Sequence, residues 1–130
     1  MKKLLLFTLM LVISISCSKE DNNLKPLDLS VNNITGTWQL TETYLSPGGE
    51  TEWQEIENGP TYNFKSNGSF TYSEGDCTSG NFEILNENLK LSCHGSSEVY
   101  SYFIHKLDSS QMEISIVGCK EACVYRYQKQ

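Results

Sequence analysis

Apolar and polar residues alternate one for one through most of the chain beyond residue 34, which is the period of half-buried strands. Tyr62 and Phe64 alternate with Thr61, Asn63 and Lys65. Phe70 and Tyr72 alternate with Ser69, Thr71 and Ser73, and Phe82 and Ile84 with Asn81 and Glu83. Leu89 and Leu91 lead into Cys93, while Met112, Ile114 and Ile116 alternate with Glu113 and Ser115. Between Thr35 and Tyr44 the residues Trp38, Leu40 and Tyr44 share one parity, interrupted by Glu42 on the same face. The run Val99 to Lys106 is apolar on both faces, which marks a strand that is covered outside or bulged. A last strand is predicted from Cys123 to Gln128.

Turn chemistry separates these runs. Asn67-Gly68 is the strongest hairpin signal and predicts a type I′ turn, in which both central residues take positive φ. Asn86-Glu87-Asn88, Asp108-Ser109-Ser110 and Gly118 to Ala122 fill other gaps, and Pro47-Gly48-Gly49 ends the first strand. Glu50 to Glu57, with Trp53 and Ile56, fits either an irregular strand or a long loop. No stretch carries a helical period. The predicted fold is all-β, a small antiparallel up-and-down β-barrel of about eight strands, in which closure removes exposed edges. An open sheet or a two-sheet sandwich is the competing arrangement.

The first 33 residues differ in kind. Lys2 and Lys3 precede an apolar run from Leu4 to Ile15, shorter than the roughly 20 residues that span a bilayer. Small Ser14 and Ser16 then precede Cys17. The pattern resembles a bacterial lipobox, with Ser14 where Leu is common. That resemblance implies a signal peptide over 1–16, removed so that Cys17 carries lipid and becomes the N-terminus. The alternative is ordinary secretion with a free Cys17. Residues 17–33 suit a polar tether, and 34–130 form the domain. The stretch Lys19-Glu20-Asp21 just after the cysteine resembles a surface-display signal. The expected location is the cell envelope, as an outer-membrane lipoprotein facing the periplasm or the cell surface.

The chain has 10 basic and 16 acidic residues, a net charge of −6. Loss of Lys2 and Lys3 would leave 8 basic residues and a charge of −8. No basic cluster lies past Lys3, which argues against nucleic acid and against adhesion to anionic lipid through the domain surface. Contact with the membrane is expected through the anchor only. Cys77, Cys93, Cys119 and Cys123 form an even set in an exported chain, which implies disulfides. Three pairings are possible; the local one, Cys77–Cys93 with Cys119–Cys123, is preferred. A zinc site using these cysteines with His94 competes, but no Cys-x-x-Cys spacing supports it.

Gly36-Thr37-Trp38 at the domain start, with Arg126 in the last strand, resembles the lipocalin signature. The Phe64-Lys-Ser-Asn-Gly-Ser-Phe70 hairpin is similar to that of bacterial lipocalin-like domain lipoproteins. The resemblance extends from Ile34 to Lys129. It implies a lipocalin-like barrel in which Gly36, Trp38 and Arg126 close one end, the guanidinium lying over the indole. With short strands and loops, such a barrel has room for side chains or one small ligand.

No catalytic constellation is visible, and neither a cofactor nor a metal is expected. His94 and His105 are the only histidines and read as surface or rim groups. Glu74 and Asp76 read as a solvated turn. The expected function is non-catalytic: a small apolar or amphipathic ligand held by Tyr62, Phe64, Phe70, Tyr72, Tyr102 and Met112, which share the presumed inner parity. The alternative is a protein-interaction module or inhibitor with a filled core. It would act through its loops, chiefly Glu50 to Glu57 with an exposed Trp53.

Overall fold

The computed structural model describes residues 26–130, so the leader, Cys17 and most of the expected tether lie outside the described residues. The elements in chain order are α1 (Val31–Ile34), β1 (Gly36–Leu45), β2 (Gln54–Glu55), β3 (Thr61–Phe64) and β4 (Ser69–Tyr72). They continue with β5 (Ser79–Leu85), β6 (Asn88–Cys93), β7 (Val99–Leu107), β8 (Gln111–Ile116) and β9 (Cys123–Lys129). All pairings are antiparallel in the order β1-β3-β4-β5-β6-β7-β8-β9, and β1 pairs again with β9. Eight strands therefore close into an up-and-down barrel. The two-residue β2 continues along the edge of β1 beyond the first residue of β3, so Glu50 to Glu57 is loop with a single short rung.

The alternating apolar residues turn inward as their period requires: Tyr62, Phe64, Phe70, Phe82, Leu89, Leu91, Met112 and Ile114 are all buried. Two β-bulges shift the pattern. In β1 the register slips between Leu40 and Glu42, and the inward parity passes from Trp38 and Leu40 to Thr43, which is buried. Tyr44 thus leaves the inner face on which its spacing from Trp38 would put it, and Glu42 stops interrupting that face. In β7 the register slips between Ile104 and Lys106. Ile104 and Leu107 are both buried while His105 is exposed, so the strand apolar on both faces is a bulged one.

The hairpin at Asn67-Gly68 is not the type I′ turn expected. Gly68 alone takes positive φ (82°), and its N–H donates to the Lys65 carbonyl. Lys65 N–H donates to the Ser69 carbonyl. Such a turn followed by one left-handed residue is the three-residue loop with a glycine bulge. Among the described asparagines, Asn58 (52°) and Asn86 (57°), the latter in the β5–β6 loop, adopt positive φ.

One end of the barrel is closed by the chain that precedes β1. Leu27, Leu29 and Val31 pack against the core, and Leu27 N–H donates to the Leu107 carbonyl at 2.8 Å. Ser30 caps α1 by accepting from Asn33 N–H. The Trp38 indole N–H donates to the Ile34 carbonyl at 2.7 Å, which satisfies a polar group on a side chain with no exposed surface. The packed domain thus begins before residue 34, and residues 27–33 belong to the barrel rather than to a tether. Asp108 is fully buried in the β7–β8 turn at this end. Its Oδ1 accepts from Ser110 N–H, Ser110 Oγ–H and Gln111 N–H, and its Oδ2 has Lys106 Nζ at 3.3 Å as an ionic partner. Burial pushes this carboxyl up, but those donors outweigh it and hold it below its ordinary value.

Cys77–Cys93 and Cys119–Cys123 are disulfides, the local pairing preferred from the sequence. All four thiols are thereby used, which overturns the zinc reading. Both bridges lie at the opposite, open end: one ties the β4–β5 loop to the end of β6, the other clips the loop into β9.

Candidate functional site

At the open end the period-two parity of four strands brings tyrosines together. Tyr62 comes from β3, Tyr72 from β4, Tyr102 from β7, and Tyr125 and Tyr127 from β9. Tyr62 stacks on Tyr72 at 4.1 Å between centroids and lies 5.6 Å from Tyr127. Tyr62, Tyr72 and Tyr102 border two clefts at once. The first, about 150 Å³, is walled also by Leu91, Tyr100 and the loop from Glu74 to Cys77. The second, about 170 Å³, is walled also by Leu40, Ile116, Tyr125 and Tyr127. The three shared tyrosines therefore divide one opening into two lobes.

Burial pushes the Tyr62 hydroxyl far above its ordinary value, and the neighbouring Tyr102, Tyr127 and Tyr72 add to the shift. Burial also raises Tyr72, Tyr102 and Tyr127. The divider is thus a set of neutral phenols, each with an apolar ring and a polar tip. The rim outside it carries exposed Leu45, Val99, Tyr100, Ile116 and Val117.

Of the six residues expected from the sequence to contact a ligand, Tyr62, Tyr72 and Tyr102 line the clefts. Phe64, Phe70 and Met112 do not. They are 0–1% exposed and border neither cleft. Phe64 packs edge-on against Phe82 at 4.9 Å and 6.3 Å from Phe70. An eight-strand barrel is only just wide enough for its own side chains, so the rings below the tyrosines are packing. Tyr125 and Tyr127 also line the second cleft, a role not expected from the sequence. Their spacing in the last strand was the available signal, since it places both on one face.

The expected stacking of Arg126 on Trp38 is replaced by two separate contacts. Lys129 Nζ, not Arg126, lies over the Trp38 ring at 5.1 Å from its centroid. A Cβ on Gly36, whose φ is +133°, would come within 2.7 Å of Lys129 Cε, so the glycine leaves room for that lysine stem. Arg126 projects to the outer face of the seam between β1, β9 and β8. Its guanidinium carbon is 3.7 Å from the centroid of Trp53, its Nε donates to Glu113 Oε1 at 2.9 Å, and Nη1 donates to Glu42. Tyr44 packs on the same indole at 5.4 Å. The β1 bulge causes this arrangement by turning Glu42 and Tyr44 outward. Trp53 is accordingly half-buried rather than exposed.

The histidines lie apart from the clefts. His94 is exposed with Asn81 Nδ2 at 3.5 Å, and His105 Nε2 is 2.8 Å from Ser115 Oγ on the outer surface. Among the described residues no group of three His, Cys, Asp or Glu side chains could hold a metal ion.

A family model described as "Lipocalin-like domain" matches residues 34–114. No curated protein matches the chain. The fold is similar to the crystal structure of an uncharacterized protein from Bacteroides eggerthii, with a TM-score of 0.56 and 15% sequence identity. That match covers 74% of this chain and 98% of the other; at such identity it speaks for the fold alone.

Proposed function

We propose that this chain, which belongs to the lipocalin-like domain family, holds one small amphipathic molecule at the open end of its barrel. It does so as a non-catalytic envelope protein carried on lipid at Cys17. The observation that carries this reading is the pair of clefts meeting over Tyr62, Tyr72 and Tyr102. An apolar cavity of about 150 Å³ accepts a molecule the size of benzene. Each lobe thus suits a compact group, with a phenol hydroxyl at hand for its polar atom. The Lys2-Lys3 leader and the small residues before Cys17 support the anchor. The separation of both histidines from the clefts supports a binding rather than a catalytic role.

Native mass spectrometry of the protein extracted gently from membranes tests the reading. A co-purifying small molecule, lost in Tyr102→Leu and kept in Met112→Leu, is the expected result. A protein that carries nothing and takes up no apolar or amphipathic probe overturns it. The rival reading, an interaction surface built on Trp53, is weakened because Arg126 and Tyr44 already cover that indole.

A further inference from the structure

The first lobe has a chemical bias that the fold does not require. Tyr62, Tyr72, Tyr100 and Tyr102 line its wall, Tyr62 and Tyr72 as a stacked pair, and Glu74 and Asp76 stand in the loop over it. No Lys, Arg or His lines it. Ring faces are electron-rich and attract cations, and carboxylates at the entrance add to that field. Burial is the main reason the Tyr72 hydroxyl titrates high, but Glu74 contributes; Glu98, which accepts from the Tyr100 hydroxyl at 2.9 Å, does most at Tyr100, where Asp76 also contributes. The Cys77–Cys93 bridge ties the acidic loop to the end of β6, next to the strand that carries Tyr100 and Tyr102.

Building on the ligand-binding reading above, we propose that this lobe selects small organic cations, an alkylammonium or quaternary ammonium group on a short apolar body. Neutral molecules of the same shape enter less well, and carboxylates are excluded. The volume of about 150 Å³ limits the cationic head to roughly the size of a trimethylammonium group.

Three probes of matched shape decide the matter with the full-length protein, by calorimetry or tyrosine fluorescence. They are choline, its neutral isostere 3,3-dimethylbutan-1-ol, and 3,3-dimethylbutyrate. Choline should bind about tenfold more tightly than the alcohol, and the carboxylate more weakly than either. The choline advantage should shrink as salt is raised. A Glu74→Gln/Asp76→Asn variant should bring choline down toward the alcohol while leaving the alcohol unchanged. Tyr102→Leu should weaken both. If the alcohol binds as well as choline, the cation preference is wrong and the amphipathic-ligand reading stands. If none of the three binds, the cation preference falls; the amphipathic-ligand reading falls with it only when mass spectrometry also shows an empty protein.

Discussion

Replacing Arg126 by Met keeps an apolar stem and removes the charged fork, whose central carbon lies over Trp53. In the native seam Glu42 and Glu113 both stand directly across from Arg126, on β1 and β8. The three side chains are 26%, 19% and 20% exposed, between a surface pair and a buried one. Exposed ion pairs contribute about 0.5 kcal/mol, and breaking a buried one costs about 3–5 kcal/mol. A cation over an indole adds about 1 kcal/mol. We expect Arg126→Met to cost about 2 kcal/mol, which for a domain of this size lowers Tm by about 10 °C. Urea unfolding followed by circular dichroism measures it. The partner is identified by double-mutant cycles. Arg126→Met should couple to Trp53→Leu by about 1 kcal/mol and be additive with Trp38→Phe. Adding Glu42→Gln and Glu113→Gln to the Met variant should recover about 1 kcal/mol, because it removes two part-buried carboxylates left without their shared partner. A Met variant within about 0.5 kcal/mol of the parent, or coupling to Trp38 instead of Trp53, would refute the reasoning.

Gly36→Ala should destabilise by about 1–2 kcal/mol in urea, since φ is +133° and the new methyl meets Lys129 Cε; adding Lys129→Ala should relieve only the steric part. Asp108 titrates lower in the folded protein than its ordinary 3.8. Its stabilising contribution is therefore complete above that pH and lost as pH falls through the folded value, and acid unfolding of Asp108→Asn should show a shallower slope below about pH 4. Replacing Cys77 and Cys93 by Ala should cost about 3 kcal/mol, against about 2 for Cys119 and Cys123, because the first bridge closes the longer loop. Denaturant midpoints of the two variants give the order.

Strands β3, β4, β5 and β8 are legible in the sequence because each keeps strict alternation between turn residues, so period and burial agree. β1 is legible only as far as Leu40. Its bulge changes parity without a glycine or proline to mark it, which hid the outward turn of Glu42 and Tyr44 and so the true partner of Arg126. Asn67-Gly68 carries hairpin information but not turn type, since a glycine bulge and a type I′ turn both want Gly at that place. The closed end was partly legible. Leu27, Leu29 and Val31 alternate with Asp28 and Ser30, a strand-like pattern overshadowed by the polar composition around it. In the site, parity identified Tyr62, Tyr72 and Tyr102 as inward. Parity cannot give depth along the barrel, which is what separates those tyrosines from Phe64, Phe70 and Met112.

The chain enters the barrel at Leu27 beside Leu107, at the pole farthest from the tyrosine opening. With the acyl group we propose on Cys17, the leash to Pro26 is roughly nine residues and reaches about 30 Å at full stretch. On that proposal, handle and cup would be at opposite poles of the barrel. Cargo would then be able to arrive from the aqueous surroundings rather than be drawn out of the bilayer, which would make the molecule a receiver standing on the membrane.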